Sequence, residues 1–473
     1  MKVSKVLMVS AEVEPFAKTG GLGDVVGALP QALNKIGLDC RVIMPLYSQI
    51  DEKYRSKMTY LGYIYVDLKW RHQYCGIYML KKDDVYYYFI DNEFYYHHET
   101  MYDQMDTEKF AFLDMAAFHV TKFIKFKPDI IHIHDWHTGP IAALLNDYFC
   151  FDPFFKNTKS VYTIHNIAYQ GIADKSFVLD LLPLNEAKYQ NSNVINFMAL
   201  GIQYAYKVNT VSPTYAKEIL TDSYGEGMQY LLRDEKAKVV GILNGINYEL
   251  YNPQVDKYID FKYSKRDIFV GKKANKEALL TQLGFNQNDF DKPLIGVVSR
   301  LASQKGMDLL LNIIDRLLDQ NVNIVLLGSG NKQLEDSFAS VSNRRNNCFK
   351  AILKFDNRLA HKIYASCDMF LMPSAFEPCG LAQLICLKYG TVPIVRSCGG
   401  LKDSIVSYNK YNNVGNGFSF DNYNSEDFYN TIMYAISLYK DKKIWHRIIQ
   451  NGLKDDFSWT ISANEYKKLY ESI

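Results

Sequence analysis

Apolar runs rich in Val and Ile alternate with helix-patterned stretches along nearly the whole chain. Continuous apolar runs of this kind predict strands of a parallel sheet covered by helices on both faces. Residues 3–10 predict the first strand. A glycine loop, Thr19-Gly20-Gly21-Leu22-Gly23, then leads into a helix expected from Asp24 to about Lys35. Further strands are expected at Asp39–Pro45, 129–134 and 160–165, with helices at 108–126 and 138–148. Residues 60–91 break the rhythm, and their short alternating segments predict antiparallel hairpins inserted into the first domain.

After 239–243 the pattern degrades into 248–272, which is polar, rich in Tyr, Asp and Lys, and reads as a linker and hinge. The alternation then restarts. Strands are expected at 294–299, 323–328, 349–355, 369–373 and Val392–Arg396, and helices at Met307–Leu318, 359–366 and 382–388. The fold class is α/β, with two Rossmann-like domains facing each other across a cleft. The expected boundaries are 1–250 for the first domain, 251–272 for the linker and 273–458 for the second domain. The helical stretch 459–473 is expected to cross back onto the first domain.

At 473 residues the chain exceeds what one core organises, which agrees with two domains. Lys plus Arg, 54, against Asp plus Glu, 52, leave a net charge of +2. That balance gives no electrostatic case for nucleic acid or an anionic membrane as partner. The eight cysteines show no CxxC and no regular spacing, as expected of reduced, mostly buried thiols in a cytosolic protein. Val6-Leu7-Met8-Val9 is too short for a signal peptide and Glu12 and Glu14 follow at once, while no run reaches transmembrane length. The expected location is the cytoplasm. The 36 tyrosines, many within 60–96, can stack on sugar rings, although β propensity accounts for them as well.

Candidate chemistry gathers at the predicted strand ends, where open α/β sheets bind ligands. Ser374-Ala375-Phe376-Glu377-Pro378-Cys379-Gly380-Leu381 puts a carboxylate and a thiol between a strand and a helix. The helix start offers N–H groups to a phosphate. The Glu377 carboxylate would repel that phosphate and suits hydroxyls attached to it, as in a nucleotide sugar. Arg300 and Lys305 share one loop after another strand and can neutralise a diphosphate, or be an ordinary solvated pair. Lys18-Thr19-Gly20-Gly21 is either a phosphate loop or a plain strand-to-helix turn, and it fits neither the P-loop nor the GxGxxG pattern. His132, His134, Asp135, Trp136 and His137 cluster at a strand end. His132 and His134 share one strand face with no second ligand group nearby, which argues for a polar rim on the cleft over a metal site. His165-Asn166 ends the next strand, as a structural hydrogen bonder or as a catalytic group.

Seven motifs occur in order across nearly the whole chain: Lys18-Thr19-Gly20-Gly21-Leu22, His134-Asp135-Trp136-His137, His165-Asn166-Ile167-Ala168-Tyr169-Gln170-Gly171, Asn244-Gly245-Ile246, Ser299-Arg300-Leu301 with Gln304-Lys305-Gly306, Glu377-Pro378-Cys379-Gly380-Leu381, and Gly399-Gly400-Leu401. On these motifs the chain resembles the bacterial glycogen synthase and plant starch synthase family, retaining glycosyltransferases of the GT-B fold that use ADP-glucose. The resemblance implies that Lys18, with the Gly20 and Gly21 backbone, contacts the donor phosphate. Arg300 and Lys305 would hold the diphosphate and Glu377 the hydroxyls of the transferred glucose. Gly380 and Leu381 would offer N–H groups to the distal phosphate. His165 would sit beside the anomeric carbon, Asp135 near the acceptor side, Asn244 and Cys379 in the lining, and Phe355 against adenine. Departures from the family pattern are Gly23 where Ala is common, Ala375 where Arg is common, and Phe355 in place of Tyr.

The implied partners are ADP-glucose and an α-1,4-glucan such as glycogen, with no cofactor and no metal expected. Arg300 and Lys305 would stabilise the charge that grows on the leaving diphosphate. No opposed carboxylate pair of the double-displacement kind is evident, so retention would proceed by same-face attack. The competing readings are a UDP-sugar-dependent GT-B enzyme making another glycan, a phosphorylase carrying pyridoxal phosphate, and a catalytically inactive glucan-binding protein.

Overall fold

The computed structural model describes residues 3–473. They form two compact units: one runs to Ile242 and is completed by Trp459–Ile473, and the other is Leu243–Ser458.

The first unit holds strands β1 (Lys5–Val9), β2 (Asp39–Pro45), β3 (Thr59–Leu68), β4 (Arg71–Lys82), β5 (Val85–Asp91), β6 (Ile130–His134) and β7 (Lys159–Ile164). After a separate antiparallel ribbon of β8 (Ile172–Asp174) and β9 (Val194–Asn196) come β10 (Lys207–Thr210) and β11 (Val239–Gly241). Nine of these strands make one sheet in the order β3-β4-β5-β2-β1-β6-β7-β10-β11. From β5 to β11 every pairing is parallel, while β3 and β4 add an antiparallel edge, the hairpin expected from 60–91. Strand β1 pairs with β2 on one side and β6 on the other, so Val6 faces both Cys40 and Ile130. The β1 and β6 pair is the point where strand order reverses, and the crevice beyond its carboxyl ends is the place for a ligand.

The helix after β1 spans Gly21–Lys35, three residues earlier than the sequence pattern predicts. Leu22, Val25, Val26, Leu29 and Leu33 form its buried stripe, and Gly20 is its N-cap. The glycine pair therefore belongs to the helix start, where N–H groups lack intrahelical partners. The C-terminal helix Trp459–Glu471 packs against this same helix.

The second unit is a six-stranded parallel sheet of β12 (Leu294–Val298), β13 (Asn323–Leu327), β14 (Phe349–Ile352), β15 (Met369–Met372), β16 (Val392–Arg396) and β17 (Phe418–Phe420). Its order, β14-β13-β12-β15-β16-β17, is the doubly wound one, with the reversal between β12 and β15.

Residues 251–272 are not a linker. They belong to the second unit, where Ile259, Tyr263 and Ile268 are buried in the core. Buried Asp256 accepts from Tyr389 Oη at 2.6 Å and pairs with His361 Nδ1 at 2.7 Å. The stretch reads as polar because polar contacts fasten it. The boundary falls at Ile242, so residues 243–250 also lie with the second unit. The sequence pattern does not announce the helix Lys332–Arg344 either, because only Phe338 and Val341 of it are buried.

Candidate active site

In the second unit, Arg300 and Lys305 leave β12, and Glu377 lies in the loop after β15, so both sides of the strand-order reversal carry charge. Lys305 Nζ donates to Glu377 Oε2 at 2.7 Å and Oε1 at 2.9 Å, and Ser374 Oγ donates to Oε2 at 3.0 Å. Glu377 is buried, whereas the Arg300 side chain is exposed and donates to Gln304 Oε1 at 3.0 Å. Two glycines let these loops close on one another. Gly306 has φ +69°, and a Cβ there would stand 2.0 Å from the Pro373 carbonyl oxygen. Gly399 has φ +43°, and its Cβ would stand 1.9 Å from the Glu377 carbonyl oxygen. Both positions demand glycine for conformation and for space.

Gly380 and Leu381 directly precede the helix Ala382–Tyr389, with Leu381 as its N-cap, so free N–H groups sit one turn from Glu377. Cys379 is buried, and burial pushes its thiol up to about 12 against a partly compensating Asn244 backbone N–H. The thiol is therefore neutral near pH 7. Asn244 is also buried, and its Oδ1 has no hydrogen-bond partner among the described residues. A buried amide oxygen left so is a place for a ligand donor. Phe355, just beyond β14, is 87% exposed, an aromatic face with no packing of its own.

In the first unit the glycine turn is organised by a residue that motif reading passed over. Glu12, buried just beyond β1, accepts from Thr19 N at 2.7 Å, Gly20 N at 3.1 Å, Thr19 Oγ1 at 2.7 Å and Tyr102 Oη at 2.5 Å. A carboxylate at the end of the first strand, in Ser10-Ala11-Glu12, is the signal that could have found it. Lys18 is exposed and lies 2.8 Å from Asp24 and 3.0 Å from Glu14. Burial draws its pKa down, but the two carboxylates outweigh that and hold it above the ordinary lysine value.

Asp135 follows β6 with φ +54°, uncommon for a residue with a side chain. Its Oδ1 accepts from His165 N at 2.7 Å and Asn166 N at 3.3 Å, which ties the ends of β6 and β7 together. Burial raises its carboxyl to about 7, against the lowering effect of those N–H groups. His165 Nε2 lies 3.1 Å from His134 Nδ1. Burial lowers His165 to about 3, so the ring is neutral. His132 and His134 are wholly buried under the strand ends, so the rim expected of this cluster is reduced to Asp135 and its neighbours. Among the described residues no group of three or more His, Cys, Asp or Glu side chains is arranged to hold a metal ion.

The structure thus brings together Lys305 with Glu377, Asp135 with His165, and Asn244 with Cys379, and it places Lys18, Gly20 and Gly21 at one helix start. Arg300 and Phe355 stand exposed, each at the carboxyl end of its own strand.

Residues 5–234 match the family model described as Starch synthase catalytic domain, and 282–455 match Glycosyl transferases group 1. The chain is 45% identical to the glycogen synthase of Clostridium botulinum strain Alaska E43 over 476 residues, covering 99% of each chain. It is 46% identical to that of Clostridium perfringens strain 13 over 478 residues, covering 100% of this chain and 99% of the relative. The chain belongs to the glycogen/starch synthase family. Its fold agrees with that assignment. The catalytic domain of starch synthase IV from Arabidopsis thaliana, solved bound to ADP and acarbose, superposes with a TM-score of 0.93 at 32% identity, covering 100% of this chain and 99% of that one. As in that family's GT-B fold, the glycogen synthase relatives' whole length is represented here by two Rossmann-like domains.

Proposed function

We propose that this protein transfers glucose from ADP-glucose to the non-reducing end of an α-1,4-glucan, with retention of configuration and release of ADP. The observation that carries the reading is the Lys305–Glu377 pair at the strand-order reversal of the second unit, one turn from the free N–H groups at Gly380 and Leu381. A sugar diphosphate needs both kinds of partner, hydroxyl acceptors for the sugar and donors or cations for the phosphates. In this reading Glu377 accepts from glucose hydroxyls. Lys305 and Arg300 hold the diphosphate, the Gly380 and Leu381 N–H groups take its distal phosphate, and Phe355 stacks on adenine. The first unit contributes Lys18 at the phosphate, His165 beside the anomeric carbon and Asp135 on the acceptor side.

As the bond from the anomeric carbon to the phosphate oxygen breaks, negative charge grows on the diphosphate. Fixed cations stabilise it most where water is excluded. The acceptor hydroxyl bonds to the same face of that carbon, and the departing phosphate oxygen takes its proton. No carboxylate is assigned as nucleophile.

ADP in place of UDP is supported by the ligand named for the Arabidopsis relative and by the exposed Phe355 ring. A cytoplasmic location is supported by eight free thiols, and no helix among the described residues is long and apolar enough to cross a membrane. The test is a turnover assay with glycogen and equal concentrations of ADP-glucose and UDP-glucose, with the anomeric configuration of the new linkage read by NMR. Preference for UDP-glucose, or an inverted linkage, would replace this reading with another GT-B transferase.

A further inference from the structure

A chain of hydrogen bonds runs beneath the strand ends of the first unit, and the transfer chemistry leaves it unused. Its members are wholly buried and come from distant parts of the sequence: Tyr466 and Tyr470 on the C-terminal helix, His132 on β6, Thr163 on β7 and Asn209 on β10. Tyr470 Oη lies 2.8 Å from His132 Nδ1, and His132 Nε2 lies 2.6 Å from Thr163 Oγ1. Thr163 donates to Asn209 Oδ1 at 2.6 Å, and Asn209 Nδ2 donates to Tyr466 Oη at 3.1 Å. The direction of donation follows from one proton. Thr163 has a single hydroxyl hydrogen, and Asn209 takes it. Thr163 Oγ1 must therefore accept from His132, which fixes the imidazole proton on Nε2. His132 Nδ1 is then an acceptor, and Tyr470 is its donor.

His132 in turn supports His134. Their ring centroids are 4.2 Å apart at 33°. His134 Nδ1 meets His165 Nε2, and its other ring nitrogen is buried with no partner among the described residues. Two contacts thus orient the His134 ring: the face of His132 and the edge of His165. Burial lowers His132 to about 3, so its tautomer is not disturbed by protonation near neutrality.

We propose that Tyr470 and His132 are positioning residues for glucosyl transfer: the C-terminal helix fixes the His132 ring, and that ring holds His134, and through it His165, in its working orientation. The inference rests on the reading that His165 meets the transferred sugar. Removing the Tyr470 hydroxyl leaves a buried acceptor unsatisfied on His132. Nδ1 then recovers a partner only if the ring rotates, which gives up the Nε2–Thr163 bond and loosens the support under His134.

Tyr470→Phe keeps the aromatic packing and removes only the donor. The expected result is a fall in kcat of about 10- to 100-fold, since small misplacements near reacting atoms cost that much. The KM for ADP-glucose should stay within about twofold, because the donor's binding groups on the second unit are untouched. Long-range proton–nitrogen NMR of histidine-labelled protein should show His132 protonated on Nε2 in both proteins, with the Nδ1 resonance shifted in the variant as that nitrogen loses its donor. In a His165→Ala background, Tyr470→Phe should cost nothing further, as expected for two residues acting through one path. Leu469→Ala controls for helix docking: it should lower the melting temperature without lowering kcat per folded molecule.

Wild-type kcat in Tyr470→Phe, an equal loss in both backgrounds, or a comparable kcat loss in Leu469→Ala would each overturn the proposal while leaving the His165 reading intact. Normal turnover in folded His165→Ala would overturn that reading, and this proposal with it.

Discussion

Lys305 Nζ lies 2.7 Å from Glu377 Oε2, and the two residues leave neighbouring strands on either side of the second unit's strand-order reversal. The carboxylate is buried and the amine is partly open to solvent. In the proposed reading the carboxylate serves the sugar and the amine the diphosphate, so Glu377→Ala should lower turnover at least ~100-fold while ADP binding, measured by calorimetry, changes little. Lys305→Ala should weaken ADP binding and also remove roughly 2–4 kcal/mol of transition-state stabilisation. Normal turnover in folded Glu377→Ala would remove it from the site.

Gly399 tests whether the loop geometry matters as much as the charges. Gly399→Ala forces a side chain to φ +43° and sets its Cβ 1.9 Å from the Glu377 carbonyl oxygen, so the Glu377 loop must move. Gly284 is the control: it has φ +73° but open space around its Cβ. Gly284→Ala should cost only about 1–3 kcal/mol of local strain and leave kcat unchanged. Gly399→Ala should lose most activity at temperatures where the protein is still folded. Equal behaviour of the two variants would mean that the carbonyl contact does not position Glu377.

Asp135 has a pH signature of defined sign. Burial raises its carboxyl from 3.8 to about 7, against the lowering effect of the His165 and Asn166 N–H groups. The folded state therefore holds this proton more tightly than the unfolded chain. The associated stability is fully present below about pH 4 and is lost as pH rises through about 7. Asp135→Asn keeps an acceptor for both N–H groups but cannot ionise. Relative to wild type, its melting temperature should gain more at pH 8 than at pH 5. A difference that does not change with pH would show that Asp135 titrates as an ordinary carboxylate.

Phe355 offers a test of nucleotide binding that leaves the reacting atoms alone. Its ring is exposed and makes no packing contribution, so Phe355→Ala should fold as the wild type does. Lost stacking on a base is worth about 1–3 kcal/mol, so the KM for ADP-glucose should rise about 10-fold with kcat nearly unchanged. A change in kcat without a change in KM would put the adenine elsewhere.

The alternation of apolar runs and helical patterns was enough to read both Rossmann-like units, because strands buried on two faces must be continuously apolar. It also put Arg300, Lys305, Glu377, Asp135 and His165 at strand ends, since a parallel sheet has its ligand side at the carboxyl ends. Local pattern failed where polar residues are buried by pairing. Residues 251–272 read as a linker because Asp256 and Tyr263 are polar, yet Asp256 is buried against His361 and Tyr389, more than a hundred residues further along.

What the sequence determined by itself was therefore the periodicity, the strand ends and the inventory of charged groups on them. Only the tertiary structure decided that Glu12 clamps the turn at Thr19 and Gly20, that Gly399 seats the Glu377 loop, and that Tyr470 reaches His132 across the chain. Periodicity records which face of an element is buried. A hydrogen bond between distant residues depends on how the elements pack in three dimensions, and one-dimensional spacing carries no term for that.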